Sequence, residues 1–186
     1  MKRISFLVAL AVALLLTACA QKQKENQSVE TKTLVAYFSA TGTTAAAAQK
    51  VAAVTGGDLH EIQPSEPYTE ADLDWRDKQS RSSVEMADKS SRPAIKNTVE
   101  NIEKYDTIYV GFPIWWGIAP TIVNTFLEQY NLEGKTLVPF FTSGSSDKGE
   151  TLNYLQPSAP NGNWKEPMCL NRLSQEDIKT WVDSLK

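Results

Sequence analysis

The stretch "LVAYFSATGTTAAAAQKVAAV", Leu34 to Val54, constrains the fold more than any other part of the chain. It opens with a short unbroken apolar run, as expected of a strand covered on both faces. Four hydroxyl residues then surround one glycine: Ser39, Thr41, Thr43 and Thr44 about Gly42. An alanine-rich segment follows, with Ala47, Val51 and Val54 on one helical face, and "TGG" stops it. A strand buried on both sides and running straight into a helix is the first half of a βαβ unit.

The rest of the chain repeats the alternation. "LHEIQP" alternates in polarity and ends at Pro64, and Ile108 to Phe112 is a second doubly buried run. "APTIVNTFLEQY" places Ile122, Phe126 and Leu127 at helical spacing. "KTLVPFFTS" is a fourth strand candidate, and Pro139 within it predicts an edge or a bulge. "WKEPMCLN" is a weak fifth. In "SQEDIKTWVDSLK", Ser174 and Asp177 form a capping box, and Ile178, Trp181, Val182 and Leu185 make the apolar face. Strand and helix in turn predict an α/β fold, a parallel sheet covered on both sides. One segment breaks the rhythm. Ser65 to Asn97 is long, charged and mostly helical in propensity; it is either the helix of a βαβ unit with an extended lead-in or a cover over a ligand site. Trp75 within it reads as a packing residue before a ligand contact.

Ahead of this domain, residues 1–18 read as a signal peptide. Lys2 and Arg3 are a basic n-region, and Ile4 to Leu16 is an uncharged apolar stretch too short to span a bilayer comfortably. It ends in "LTAC", which resembles the bacterial lipobox, in which a cysteine (here Cys19) is diacylated and becomes the new N-terminus. Residues 19–33 are polar, lack periodicity and read as a flexible tether of roughly 20 Å reach. The domain is expected over residues 34–186. Localisation is then export, with a lipid anchor on a bacterial membrane.

Without Lys2 and Arg3 the chain holds 17 basic against 22 acidic residues, a net charge of −5. No basic stripe is present, so nucleic acid is not an expected partner. His60 is the only histidine and has no companions at metal-ligand spacing, so no metal is expected, and His60 reads as an exposed strand residue. Cys169 reads as a small core residue.

The hydroxyl-rich turn faces the open end of a helix, where unpaired N–H groups and the helix dipole favour an anion. Gly42 permits a tight turn, and no lysine or arginine lies between Thr33 and Lys50. A phosphate monoester suits that cradle, while a helix cap without ligand is the plainer alternative. The lysine of a nucleoside-triphosphate loop and the glycines of a dinucleotide fingerprint are both missing. After the third strand candidate, "GFPIWWGIAP" sets Trp115 and Trp116 in a loop stiffened by Pro113 and loosened by Gly117, a planar stacking platform. In a sheet of order 2-1-3-4-5, the turns after strands one and three meet where the strand order reverses, and there ligands bind. Phosphate at one turn and an aromatic ring at the other outline flavin mononucleotide (FMN).

With "YFSATGTT", "GFPIWWG" and "TSGSS", the sequence resembles the flavodoxin family, and more closely its lipoprotein-type branch from anaerobic bacteria. The resemblance implies a flavodoxin-like, doubly wound, five-stranded parallel sheet in three αβα layers. It implies that Ser39, Thr41, Gly42, Thr43, Thr44 and the N–H of Ala40 hold the phosphate of FMN. Pro113, Ile114, Trp115, Trp116 and Gly117 would line one face and edge of the isoalloxazine. Thr142, Ser143, Gly144 and Ser145 would meet its pyrimidine edge. The second ring face is open or covered by the segment containing Tyr68 and Trp75, since "FFTSGSSDKGE" has no aromatic beyond Phe141. The expected function is electron transfer outside the cytoplasm with transient redox protein partners. An FMN-dependent NAD(P)H:quinone or nitro-compound reductase and a cofactor-free scaffold are the alternatives.

Overall fold

The computed structural model describes residues 32–185. The expected signal peptide, Cys19 and residues 20–31 of the tether lie outside the described residues. The first strand, β1 (Lys32–Tyr37), begins two residues ahead of the expected domain start, so the tether's last two positions already belong to the sheet.

In chain order there follow α1 (Thr43–Thr55), β2 (Asp58–Glu61), α2 (Arg81–Ala87), β3 (Tyr105–Pro113), α3 (Ile122–Glu128), β4 (Thr136–Thr142) and α4 (Thr151–Leu155). The chain ends with β5 (Asn163–Trp164), β6 (Met168–Cys169) and α5 (Gln175–Ser184). All strand pairs are parallel, in the order β2-β1-β3-β4, with β5 and β6 both on the outer side of β4. This is the expected 2-1-3-4-5 arrangement.

Alternation along the central strands divides the core. Leu34, Ala36, Ile108, Val110, Phe112, Leu137 and Phe141 face α3 through Ile122, Val123, Phe126 and Leu127. Val35, Tyr109, Val138 and Phe140 face α1 and α5 through Ala48, Val51, Ile178, Trp181 and Val182. Three layers result. Gly111 is the one gap in the third strand's apolar run, and it is there for Phe140: a Cβ would lie 2.3 Å from that ring. The capping box of Ser174 and Asp177 is formed, and Gly56 ends α1 in the left-handed conformation.

Several expectations are corrected. The fifth strand is two short pieces, because Pro167 has no N–H to continue the ladder and the chain leaves β4 between Trp164 and Met168. Pro139 lies neither at an edge nor at a bulge: β4 runs unbroken, with Pro139 paired in register to Val110. The carbonyls of Leu137 and Phe141 accept bonds from Lys165 and Leu170 on the outer side. By the alternation of a strand, Pro139 turns its missing donor to that same side, where the neighbouring strand is interrupted.

His60 is half-buried rather than exposed, stacked at 5.8 Å on Phe126. Cys169 is likewise half-buried and packs against the core's edge. The 65–97 segment is not one long helix. Its helical parts are a single turn at Ala71–Leu73 and the seven-residue α2. Asp74, Asp77 and Asp88 accept bonds from the backbone N–H of Arg76, Gln79 and Ser90, so side chains satisfy locally what a helix would otherwise have bonded.

Candidate functional site

Three turns leave the sheet at the same end. After β1, the N–H of Phe38 donates to the carbonyl of Gly111 at 2.9 Å, which extends the β1–β3 pairing to the edge of the turn. Ser39 Oγ then accepts from the N–H of Gly42 at 3.1 Å. Gly42 sits at φ 86°, a left-handed conformation that glycine adopts without cost. The helix ladder starts when the N–H of Ala46 reaches the carbonyl of Gly42. The N–H groups of Thr43, Thr44 and Ala45 therefore have no helical carbonyl to meet and face outward at the positive end of the dipole. The hydroxyls of Thr41 and Thr43 stand 3.4 Å apart beside them.

After β3, the N–H of Ile114 stays bonded to the carbonyl of Thr142. Trp115 and Ile118 exchange both backbone bonds, at 2.9 and 3.1 Å, around Trp116 at φ 46° and Gly117 at φ 82°. Two successive positive φ values mark a mirror-image tight turn, which favours asparagine and glycine. A tryptophan held there is strained, and such strain collects at ligand clamps. The two indoles divide their work. Trp115 is half-buried, edge-on to Phe38 and Tyr68 at 5.5 Å each, while Trp116 is 49 % exposed.

After β4, Thr142 is buried and its hydroxyl lies 2.8 Å from that of Thr44. Asn171 clamps the next residue: its side-chain carbonyl accepts from the N–H of Ser143 and its amide donates to the Ser143 carbonyl. The Ser143 hydroxyl donates to the Ser146 carbonyl.

These turns enclose a cleft of about 560 Å³, within the range of small-molecule sites. Ala40, Thr41, Thr43 and Thr44 line it from the first turn, Pro113, Ile114, Trp115 and Trp116 from the second, and Thr142, Ser143 and Gly144 from the third. Ser39, Gly42, Gly117 and Ser145 do not line it. Ser39 and Gly42 shape the first turn from behind, and Gly117 shapes the second. The hydroxyls of Thr44 and Thr142 are engaged with each other, and those of Ser39 and Ser143 with backbone.

Three lining residues come from outside the three turns: Leu73, Trp75 and Ser82. The charged segment is thus a wall of the cleft, and Trp75 stands 67 % exposed there rather than packed. Tyr68, the other aromatic named in this segment, is instead wedged against Phe38 and Trp115, with its hydroxyl donating to Glu85. Burial and the Glu85 carboxylate push this phenol far above its ordinary pKa, as suits a fixed buttress. The role of Asn171 is not legible in the sequence, because a lone asparagine in a loop carries no signal until its partner is known.

No residue lining the cleft is ionisable, and among the described residues no cluster could hold a metal ion. Hydroxyls, indoles and aliphatic side chains line the cleft, with no charged group among them. Its chemistry is to hold an anion at a helix end and a flat apolar ring beside indoles.

A parallel sheet of order 2-1-3-4-5 with its cleft at the carboxyl ends of β1, β3 and β4 defines a doubly wound α/β ligand-binding protein. The sequence profile described as flavodoxin matches residues 32–185, and the chain belongs to the flavodoxin family. Two similar crystal structures are of proteins classed as flavoproteins. That from Bacteroides eggerthii DSM 20697 is 56 % identical, with a TM-score of 0.79, 82 % of this chain and 96 % of the other covered. That from Bacteroides uniformis ATCC 8492 is 54 % identical, again with a TM-score of 0.79, covering 82 % and 98 %. A flavoprotein from Lactobacillus acidophilus NCFM, solved in complex with FMN, shares the fold at 23 % identity and a TM-score of 0.66, covering 82 % and 99 %. No protein of curated function matches the chain.

Proposed function

We propose that the cleft binds FMN and that the protein is an electron carrier, exported and held to a membrane through a lipid on Cys19. One observation carries the cofactor: the hydroxyl-rich helix end and the paired tryptophans open into a single cleft. The FMN seen in the Lactobacillus acidophilus relative supports the same reading. The N–H groups of Ala40, Thr43 and Thr44 and the hydroxyls of Thr41 and Thr43 hold the phosphate, with the helix dipole in place of a cation. Trp115 and Trp116 take one face of the ring, with Pro113, Ile114 and the Gly117 turn at its edge. The backbone of Thr142 to Gly144 takes the pyrimidine edge. When bound, FMN supplies the electron transfer, and the protein's part is to bind, orient and shield it.

Leu73 and Trp75 favour the carrier over a reductase, since a nicotinamide must reach a bare ring face. The lipobox-like "LTAC" and the polar residues after it support a tethered domain with transient redox protein partners.

The full chain in detergent, titrated with FMN, is expected to show quenched tryptophan fluorescence and to take up the visible flavin band. Joint replacement of Thr41 and Thr43 by alanine is expected to weaken binding at least about tenfold. A folded chain that stays colourless in excess FMN leaves the scaffold reading. Cys19→Ser is expected to abolish fatty-acid incorporation in cells; continued labelling would refute the anchor.

A further inference from the structure

We infer that Trp75 is the aromatic cover of the ring's second face, delivered by the β2–β3 connection rather than by the loop after β4. This rests on the FMN reading of the cleft. The loop after β4, residues 143–150, contains no aromatic residue, so nothing in it can stack. Trp75 lines the same cleft as Thr41 and Trp116, and it is more exposed than any other large hydrophobic side chain described. An isolated exposed apolar residue is ordinary. Two exposed indoles on the walls of one uncharged cleft give it two ring-sized apolar surfaces.

The neighbouring guanidinium fixes what Trp75 offers. Arg76 stands over the indole, 5.1 Å from the ring centroid, and occupies one face. A flat partner in the cleft would stack on the face that Arg76 does not cover. The loop that carries Trp75 is built to hold its shape. Asp72 accepts from both the N–H and the hydroxyl of Thr69, at 2.8 and 2.7 Å. Asp74 and Asp77 close the two following turns. At its start the loop is fastened by Tyr68, whose ring meets Trp115 edge-on, and at its end Ser80 caps α2. The platform under one ring face and the cover of the other therefore share a buttress. The consequence is selective. The cover adds affinity for the ring and none for the phosphate, and it denies a second flat reactant that face.

The test measures dissociation constants of FMN and of riboflavin, which lacks the phosphate, for the full chain and its variants by quenching of flavin fluorescence. Trp75→Ala is expected to weaken both ligands by the same factor, about tenfold for a lost stacking partner, and Trp75→Phe to restore most of it. The joint alanine replacement of Thr41 and Thr43 is expected to weaken FMN more than riboflavin. Iodide is expected to quench less tryptophan fluorescence once riboflavin is bound, with that protection reduced in Trp75→Ala. Because Trp75 contributes to neither core cluster, its replacement leaves the fold intact, checked by an unchanged melting curve. Unaltered riboflavin affinity in Trp75→Ala, or weakening confined to FMN, would overturn the cover alone. A wild-type chain that binds neither ligand would overturn the flavin reading and the cover with it.

Discussion

The hydroxyls of Thr44 and Thr142 lie 2.8 Å apart, buried, though 98 residues separate them in the chain. Thr44 lies in the first turn of α1 and Thr142 closes β4, so this bond ties together two of the three turns around the cleft. Both residues are almost fully buried, and each hydroxyl is the other's partner. Replacing either threonine by valine keeps the shape and orphans the remaining hydroxyl, at a cost of about 1–3 kcal/mol. Replacing both removes the orphan, so the double variant is expected to be more stable than the sum of the single losses predicts. Urea unfolding of the four proteins checks this; strict additivity would mean that the two groups are not coupled.

Asn171 holds Ser143 by both its N–H and its carbonyl, at 3.0 and 2.6 Å. An alanine there loses two bonds to backbone that the third turn needs, and the expected destabilisation is about 1–3 kcal/mol. Ser143 and Gly144 line the cleft, so ligand affinity is expected to fall as well, although Asn171 itself does not line it. Unfolding midpoints and FMN titration of Asn171→Ala, measured side by side, separate the two effects.

Gly149 supports the tryptophan turn from below. It sits at φ 52°, and a Cβ there would lie 2.1 Å from the carbonyl oxygen of Gly117. The obstacle is backbone, so no rotamer relieves it. Gly149→Ala is expected to destabilise the protein by about 2–4 kcal/mol and to displace Trp116. Its fluorescence maximum and quenching by FMN would then both differ from wild type. An unchanged spectrum with unchanged stability would show that the turn does not rest on Gly149.

These supports mark the limit of what the sequence shows. The runs Leu34 to Phe38 and Ile108 to Phe112 are legible because a strand covered on both faces must be apolar at nearly every position. The capping box at Ser174 is legible because its two partners are three residues apart. The cleft's first two walls follow from the strand order, which puts their turns side by side. The remainder depends on partners far apart in the chain. Trp75 reads as a packing residue until its neighbours in space are known. Thr44 and Thr142 read as ligand hydroxyls until each is seen to bond the other. Pro139 reads as an edge signal because a sequence does not show that the gap lies in the adjacent strand. The charged 65–97 segment has helical residues, yet its aspartates end each helical stretch by bonding nearby backbone.

His60 gives the fold a dependence on pH with a definite sign. Its ring is stacked on Phe126, and its Nε2 is buried without a hydrogen-bond partner among the described residues. Burial holds its pKa below the ordinary value, and the Glu61 carboxylate opposes that only partly. The unfolded chain therefore binds a proton to this residue more readily than the folded one. Where that difference holds, stability rises with pH. The contribution is complete above the unfolded value of about 6.5 and is lost as pH falls through it toward the lower folded value. His60→Gln removes the titrating ring. The loss of stability between about pH 7.5 and about pH 5.5 is thus expected to be smaller in the variant than in the wild type. Urea midpoints of both proteins at the two pH values provide the comparison, and equal losses would exclude His60 as the titrating group.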